Sequence, residues 1–471
     1  MSWKNRNENN STPYVHPNES NLWDLHKSME YNAQGKPVVR VQGGTETYCV
    51  GVSWADSPSI TSFGRGRVSD NRILGEYRYM YGEGTFFEMN DFTAGTATIT
   101  VDYPRACALA TIGTVSGDRA VRQTKQYHPY ISGTSNLFFI TYVMGQAKEN
   151  LVQAVGAFDD LNGIFFRMNG TIPEVVIRKN GIDNEVVSQN NWNMDRMDGS
   201  WESDPEGNPS HVNLDFSKAQ ILTLDYQWLG VGRVRIGFVV DGVVHHVHHF
   251  NHANLVTEVY MIQPSLPIRW EIANTGNTVS SSELMMICGS VYCEGSDFET
   301  GWQRSVSTGS STVSLTQANS ASYGKCVMAV KLTNTQQGHP NRSLARLKGF
   351  NIITDADVRY RIVLFSNSTD VFAESPVWND IPGAGWTQYA INATLNSNWQ
   401  DRLDYNILYD DFALGTKGNN NAVVGTADVV NRVSTIYQNY NATDSQCIAI
   451  VCYYIGSNAT LRASLSWLEV K

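Results

Sequence analysis

The stretch that decides the fold runs from Leu222 to Asn254 and reads LTLDYQWLGVGRVRIGFVVDGVVHHVHHFNHAN. Two apolar, β-branched runs flank the pair Asp241-Gly242, which suits a two-residue type I′ turn because both turn positions need a positive φ. Pairing Val240 with Val243 sets the register, and residues that lie opposite each other then share a face. The stretch therefore predicts a β-hairpin.

The two faces of the predicted hairpin differ in composition. Strict alternation gives the core one face, made of Val234, Ile236, Phe238, Val240, Val243, His245, Val247 and His249. The other face carries Arg233, Arg235, Gly237, Val239, Val244, His246, His248 and Phe250. Apolar, aromatic and arginine side chains together are typical of subunit interfaces. We expect this mixed face to meet water or a partner subunit, with Arg235, His248 and Phe250 as candidate interface residues.

Five histidines in this stretch raise the alternative of a metal site; they are His245, His246, His248, His249 and His252. Alternation sends His245 and His249 to one face and His246 and His248 to the other, so too few ligands converge on one ion. The segment Gly230-x-Gly232 is not a phosphate loop, because it lacks the third glycine of the dinucleotide fingerprint and precedes a strand. We predict no metal and no cofactor here.

Length and composition exclude several classes of protein. The chain has 471 residues, enough for two or three domains, and its net charge of −10 gives no general affinity for nucleic acid. No run reaches 18 apolar residues and the first 20 residues lack the apolar segment of a signal peptide, which predicts no membrane insertion. The seven cysteines form no CxxC pair, which favours free thiols and assembly in a reducing cytoplasm.

The N-terminal region predicts an anchor. Residues 1–20 are polar and rich in Asn, as in a flexible arm. A helix is predicted from Asn21, which can cap it, to Tyr31, before Gly35 and Pro37. The helix offers four apolar candidate interface residues, Leu22, Trp23, Leu25 and Met29. Docking on another subunit and packing on the chain's own domain both remain open.

From Pro37 onward, strand signals dominate and Gly, Asn and Asp turns recur at short intervals. This pattern is typical of sandwiches rather than of βαβ units. The composition changes to Ser and Thr after residue 295. We therefore predict an all-β fold with two β-sandwich, jelly-roll-like domains. The boundaries are an N-terminal arm and short helix at 1–41, a large sandwich at 42–295 and a smaller one at 296–471.

Two acidic groups were candidates for chemistry. Glu76, Glu83 and Glu88 lie among aromatic residues, as in glycoside hydrolases, but no strand face carries two of them. The segment from Asp159 to Gly163 offers at most three side-chain oxygens, whereas Ca²⁺ prefers six or more ligands. We interpret it as a β-turn with local side-chain hydrogen bonds. No sequence motif of hydrolytic or phosphoryl-transfer catalysis occurs, and we predict a protein that is not an enzyme.

Seven segments together resemble a family of tailed-bacteriophage virion proteins. They are SFGRGRVSDN (62–71), VRQTKQYHPYISGTSNLFFIT (121–141), GAFDDLNGIFFRMNG (156–170), NWNMDRMDG (191–199), LDFSKAQILTLDYQWLGVGRVRIGFVVDG (214–242), HHFNHAN (248–254) and VYMIQPSLPIRWEI (259–272). The resemblance covers roughly residues 60 to 295. It carries no catalytic residues, and the doubled His245-His246 departs from its pattern.

The resemblance implies a structural component of a phage virion, such as a capsid decoration protein, a head fibre or a tail appendage. It implies a homo-oligomer, a trimer by analogy, that contacts other proteins of the capsid, neck or tail. The alternative function is a receptor- or glycan-binding adhesin that takes a host-surface glycan as partner. A tail-associated polysaccharide hydrolase comes third. The predicted location is the virion, after assembly in the host cytoplasm.

Overall fold

The computed structural model describes the backbone of residues 30–31, 37–43 and 46–51, and residues 71–79, 88–294, 301–320, 322–381, 385–402, 404–415 and 434–470. The chain divides into two compact units, Met1–Arg67 and Val68–Lys471. In the described residues, antiparallel strands dominate, which confirms the all-β prediction. None of the helices in this part of the chain is long and apolar enough to cross a membrane.

The first unit contains a three-stranded antiparallel sheet, with β1 at Glu30–Tyr31, β2 at Pro37–Gly43 and β3 at Glu46–Gly51. The predicted helix is wrong at its last two residues, because Glu30 and Tyr31 pair with Val38 and Pro37 of β2. The rest of that helix, with Leu22, Trp23, Leu25 and Met29, lies outside the described residues, as does the arm. Strand β2 crosses the domain boundary predicted after residue 41.

Residues 71–294 form a sandwich of two sheets. Its strands are β4 (Asn71–Arg78), β5 (Met89–Ala94), β6 (Thr98–Asp102), β7 (Cys107–Ile112), β8 (Arg119–Thr124), β9 (Asn136–Met144), β10 (Leu151–Phe158), β11 (Gly163–Asn169), β12 (Ile172–Lys179), β13 (Ile182–Ser188), β14 (Gln220–Tyr226), β15 (Val234–Val240), β16 (Val243–Phe250), β17 (Ile268–Asn274) and β18 (Ser282–Glu294). One sheet has seven strands in the order β13-β12-β11-β10-β17-β8-β5. The other has eight, in the order β16-β15-β14-β9-β18-β7-β6 with β4 beside β18.

The core of this sandwich lies between the two sheets, because every second residue of each strand points inward. Trp270 of β17, Phe138 of β9 and Phe166 of β11 are buried there with less than 1% exposure. Phe158 and Phe165 are buried on the outer face of the seven-stranded sheet, in a separate small cluster. That outer face is therefore partly covered, and it positions a polar junction described below.

The central hairpin folds as predicted at its turn and differs beyond it. Val240 pairs with Val243, and Asp241 and Gly242 have φ values of 50° and 78°, which confirms the type I′ turn. A β-bulge between Ile236 and Gly237 then shifts the register, so Ile236 pairs with His248 and Arg235 with His249. A bulge adds one unpaired residue and exchanges the faces that follow it. Strict alternation could not foresee this shift.

The three predicted interface residues of the hairpin are buried in the chain itself, so this part of the interface prediction is wrong. Phe250 belongs to the core between the sheets and His248 is 7% exposed. Arg235 has no exposed surface in its side chain and pairs with the buried carboxylate of Asp225, which also accepts a hydrogen bond from Ser135. The register shift turned His248 and Phe250 inward, and the ion pair compensates the buried charge of Arg235.

Residues 301–470 form further sheets. Their strands are β19 (Trp302–Ser307), β20 (Val313–Leu315), β21 (Lys325–Leu332), β22 (Thr335–Gln336), β23 (His339–Pro340), β24 (Leu344–Thr354), β25 (Val358–Phe365), β26 (Asn379–Asp380), β27 (Thr387–Ala393), β28 (Tyr405–Ala413), β29 (Thr435–Ile436), β30 (Cys447–Tyr454) and β31 (Ala459–Val470), with one short helix, α1 (Gln317–Ser320). A five-stranded sheet built on β31 packs on a six-stranded sheet in the order β26-β27-β21-β30-β25-β28. The predicted boundary at 295 lies outside the described residues.

The last strand, β31, alternates between buried and less buried residues, and Leu461, Ala463, Leu465 and Trp467 are all buried. The outer face of the six-stranded sheet carries a second apolar layer around Trp399 and Phe372. The six described cysteines are free thiols, as the sequence predicted. Burial raises the pKa of the Cys326 thiol to about 12, so this cysteine is a packing residue rather than a nucleophile.

Candidate functional site: an anchored surface loop

The longest connection between strands of the first sandwich runs from residue 189 to residue 219, between β13 and β14. It contains two short 3₁₀ turns, Gln189–Asn191 and Ser200–Glu202, and no strand. Loops of this length without regular structure are uncommon in compact domains and often carry function.

Three buried groups anchor the loop from below. Met197 has no exposed surface and packs in the core between the sheets. Asp195 is buried and its carboxylate accepts hydrogen bonds from the backbone N–H of Met197 (3.0 Å) and of Ser210 (3.1 Å). The buried Asn208 donates to the carbonyl of Val212 at 3.0 Å. Met197 therefore fastens the loop to the core, and Asp195 joins the two halves of the loop through its contact with Ser210.

The loop also stores backbone strain. Met197 and His211 have positive φ values of 47° and 61°, in a region that side chains with a Cβ rarely adopt. Gly199 also has a positive φ, of 77°, and directly precedes the 3₁₀ turn Ser200–Glu202 that contains Trp201. Strained residues persist where the surrounding contacts overdetermine them, and they cluster at functional sites. The strained backbone of this loop therefore favours a functional role for the side chains that it exposes.

The loop presents an aromatic pair at the surface. The rings of Trp201 and His211 stack with centroids 4.8 Å apart and planes 16° from parallel. Trp201 nevertheless remains 39% exposed, and His211 is exposed as well. An exposed tryptophan held by a stacked neighbour loses little conformational freedom when a ligand binds.

Several carboxylates lie on the same loop as this pair, and Glu202 shares the 3₁₀ turn Ser200–Glu202 with Trp201. Arg196 links two of them, donating to Asp204 at 2.7 Å and lying 3.2 Å from Asp198. Partial burial acts to raise the pKa of Asp198, but hydrogen bonds from Ser200 and the charge of Arg196 outweigh it, and the pKa is lowered. Glu202 and Glu206 are exposed. The loop that carries the aromatic pair is thus rich in carboxylate hydrogen-bond acceptors.

This combination can bind a saccharide. The C–H faces of a sugar ring pack against an aromatic face, whose quadrupole is negative, while its hydroxyls need acceptors and donors close by. Trp201 and His211 supply the rings, and the carboxylates of Asp198, Glu202 and Asp204 supply the acceptors. Hydrogen bonds to ionised acceptors are about twice as strong as neutral ones.

A second polar cluster lies on the outer face of the seven-stranded sheet and involves Tyr440, from the turn between β29 and β30. The ring of Tyr440 stacks on Phe92 at 5.5 Å and lies 5.1 Å from the guanidinium of Arg269. Its hydroxyl donates to Asp160 at 2.6 Å and accepts from Arg269 at 2.9 Å. Arg269 also contacts Asp160 at 2.8 Å and Glu271 at 3.1 Å.

The charged groups of this junction shift the pKa values of one another. Burial acts to lower the pKa of Arg269, but Glu271 and Asp160 outweigh it and raise the pKa above its usual value. The pKa of Asp160 is held well below its usual range, because Arg269 and Arg119 together outweigh the effect of burial. Nearby, Arg342 lies over the ring of Tyr127 at 4.5 Å. These side chains join residues of the two sandwiches through direct contacts.

The acidic candidates named from the sequence have other roles. The segment Asp159–Gly163 is the predicted turn, in which Asp159 accepts from the backbone N–H of Leu161 (2.8 Å) and Asn162 (2.7 Å). Glu76 pairs with Arg78 at 2.9 Å and Glu88 is exposed, while Glu83 lies outside the described residues. The structure does not bring Glu76 and Glu88 together in a described contact.

The histidines are distributed over several partners. His252 is buried and contacts the carbonyl of Gly232 (2.6 Å) and the carboxylate of Glu185 (3.0 Å). The Nδ1 of His248 accepts from the backbone N–H of Asn193 at 3.2 Å, and the rings of His246 and His249 meet at 5.4 Å. Within the described residues, no group of three or more His, Cys, Asp and Glu side chains has the geometry to hold a metal ion.

Sequence reasoning missed Trp201, His211 and Tyr440. The stretch from 189 to 219 carried a signal, because it combines more than twenty residues without strand alternation with many Asp, Asn, Gly and Pro residues. Tyr440 carried none, since its partner Arg269 lies 171 residues away in the sequence.

Comparisons with known proteins gave structural likenesses only. No family model and no curated protein matches this sequence. The chain is similar to a Shewanella oneidensis protein of unknown function (8% identity, TM-score 0.32), of which the match covers 94%, and 52% of this chain. It is similar to a legume lectin-like domain from Entamoeba histolytica (12%, 0.26), covering 91% of that domain and 44% of this chain. It is also similar to arcelin-5, a lectin-like defence protein from Phaseolus vulgaris (11%, 0.28), covering 99% and 48%.

Proposed function

We propose that this protein is a non-enzymatic structural component of a bacteriophage virion that binds glycans through its 189–219 loop. The virion assignment rests on the seven sequence segments described above. The glycan assignment rests on one observation, the stacked and exposed Trp201–His211 pair on an anchored loop. The two assignments are compatible, because a protein displayed on a virion can adhere to the surface of the host.

Direct binding tests the glycan assignment. Full-length protein is applied to an array of bacterial surface saccharides, and the best ligand is then titrated by calorimetry. Trp201→Ala should weaken binding roughly five- to 150-fold, since the loss of one stacked aromatic ring costs about 1–3 kcal/mol. The matched control is Trp302→Ala, which removes another exposed tryptophan, on edge strand β19. Equal losses in both variants would contradict a site at Trp201.

The virion assignment has its own test. An antibody against the protein should label purified phage particles at a fixed position in electron micrographs, and the protein should co-purify with particles in a constant ratio. Its presence only in the lysate supernatant would overturn the assignment. Incubating the bound glycan with the protein should leave its chain length unchanged, whereas shortening would favour the hydrolase alternative.

Self-association remains part of the proposal. We propose a homotrimer held through the N-terminal part of the chain, with residues Leu22, Trp23, Leu25 and Met29 as its contacts. Light scattering on the full chain measures the oligomer directly. A trimer that becomes a monomer when residues 1–35 are deleted is the expected result, and a full-length monomer at micromolar concentration would contradict it.

A further inference from the structure

Acidic residues outnumber basic residues on the loop that holds the aromatic pair. Between residues 189 and 218, six carboxylates face two cationic side chains, Arg196 and Lys218. The carboxylates are Asp195, Asp198, Glu202, Asp204, Glu206 and Asp215. This short segment thus holds a large share of the net charge of −10 of the whole chain.

The cations of the segment do not neutralise its carboxylates. Arg196 is divided between Asp198 and Asp204 and also donates to Ser200 at 2.9 Å. One guanidinium therefore offsets two carboxylates. Glu202, next to Trp201, and Glu206 are exposed to solvent.

The pKa values of two carboxyl groups of the segment, Asp198 and Asp215, are lowered. Hydrogen bonds from Ser217 lower the pKa of Asp215, and the pKa of Asp198 is lowered as described above. The contacts of Asp195 and Asn208 hold the backbone of the loop, and Glu202 shares the 3₁₀ turn Ser200–Glu202 with Trp201. An anionic group that binds Trp201 would therefore be repelled by a charge on the same turn, since exposed charges interact over a Debye length of about 8 Å at physiological salt.

We infer that the Trp201–His211 site selects glycans that carry no carboxylate, sulfate or phosphate groups, and so takes neutral or amine-bearing saccharides. The inference rests on the proposed glycan-binding function. The carboxylates of the loop accept hydrogen bonds from hydroxyl and ammonium groups and repel sugar acids. An ammonium group gains in addition from the face of Trp201, since cations are attracted to an indole ring.

Three probes of equal length test the inference, namely oligomers of glucose, of glucosamine and of glucuronic acid, each titrated against the full chain. The glucuronate oligomer should bind at least about ten-fold more weakly than the other two at low salt, and the gap should shrink when salt is raised, because screening weakens exposed charge repulsion. Glu202→Gln/Glu206→Gln should narrow the same gap. The control is Glu149→Gln/Glu374→Gln, which removes two exposed charges outside the loop and should leave the gap unchanged.

The outcomes separate the two claims. Equal binding of all three oligomers would overturn the charge selection and leave the glycan function standing. A gap that persists in the loop variant and at high salt would also overturn it, because the selection would then have another cause. If none of the three oligomers binds and the array of surface saccharides is negative too, the proposed function fails and the inference fails with it.

Discussion

The 189–219 loop and the junction at Tyr440 are built from the same kinds of residue and do opposite things. Each combines arginine, carboxylates and aromatic rings. At the junction, Arg269 has no exposed surface and its charge is matched by Asp160 and Glu271. On the loop, the buried anchors lie beneath and the rings of Trp201 and His211 face the solvent.

The two regions differ in the sequence distance between their charged or polar side chains and the residues that these side chains contact. At the junction, residues from distant parts of the chain pair with one another, so their interactions stabilise the fold. On the loop, local hydrogen bonds satisfy the backbone, and the exposed groups keep their capacity for a ligand. Substitutions at the junction should therefore change stability, and substitutions at the loop surface should change binding.

The largest expected effect is that of Arg269→Met. It removes the buried cation that contacts Glu271 and Asp160 and leaves both carboxylates to Arg119, which lies 2.7 Å from Glu271 and 3.0 Å from Asp160. Breaking a buried pair typically costs about 3–5 kcal/mol, and the remaining arginine places the expected loss at the low end. Because Asp160 is half exposed, we expect about 3 kcal/mol of the free energy of unfolding to be lost, measured by urea denaturation.

The control for this change is Arg359→Met. Arg359 of β25 forms a close, bidentate pair with Asp410 of the edge strand β28. This pair is exposed and should contribute less than about 1 kcal/mol. A comparable loss of stability in both variants would show that burial does not distinguish the two pairs.

The next effect concerns pH and His248. Burial lowers the pKa of His248 to about 4 from an unfolded value of about 6.5. Between these two pH values the imidazole is protonated in the unfolded chain and neutral in the folded chain. The stabilisation is complete above the unfolded pKa and declines as the pH falls toward the folded one. Between about pH 7 and pH 5, this residue alone should lower the free energy of unfolding by about 2 kcal/mol.

Urea denaturation at several pH values, in the parent chain and in His248→Phe, measures this contribution. Phenylalanine keeps a ring beside Phe250, which His248 contacts at 4.5 Å, and cannot titrate. The variant should show a shallower dependence on pH in this window. Identical slopes in the two proteins would mean that His248 is not the group responsible.

A smaller effect is expected for Tyr440→Phe. The change keeps the ring on Phe92 and Arg269 and removes only the hydroxyl that bridges Asp160 and Arg269. Because Tyr440 is partly exposed, the loss of free energy of unfolding should be about 1 kcal/mol, less than the roughly 1.5–3 kcal/mol of buried hydrogen bonds to charged groups. Tyr440→Leu, which also removes the ring contacts, should cost more. Equal stability of the parent chain and Tyr440→Phe would show that the bridge contributes nothing.

Part of the fold was predictable from local pattern. The type I′ turn at Asp241-Gly242 and the inward row of β31 follow from two neighbouring residues and from simple alternation. The free cysteines and the turn at Asp159 were also predictable, because each depends on residues close in sequence or on composition.

The remaining features depend on contacts between residues that are distant in sequence or on local irregularities, which the alternation of apolar and polar residues does not encode. The bulge at Ile236/Gly237 reverses the faces of His248 and Phe250, and nothing in the repeated Val and His pattern marks it. The pairing of Glu30 and Tyr31 with β2 competes with a weak helical pattern and prevails. At the candidate site, the stacking of Trp201 on His211 requires a loop path that Met197 and Asn208 fix through contacts with the core and with backbone groups.

The smallest expected effect on stability is that of Trp201→Ala, and it sharpens the contrast most. The substitution removes an exposed ring whose main described partner is the equally exposed His211. The groups that hold the loop, Asp195 and Asn208, are untouched. Surface changes of this kind usually alter the free energy of unfolding by no more than about 0.5 kcal/mol. Asn208→Ala should instead cost about 1–3 kcal/mol, since it removes a buried donor and leaves the carbonyl of Val212 without that partner. Urea denaturation of both variants, combined with glycan titration, separates the roles: Trp201→Ala should lose binding and keep stability, whereas Asn208→Ala should lose both. If Trp201→Ala destabilises the protein as much as Asn208→Ala does, the ring is part of the scaffold, and the loop then resembles the junction instead of contrasting with it.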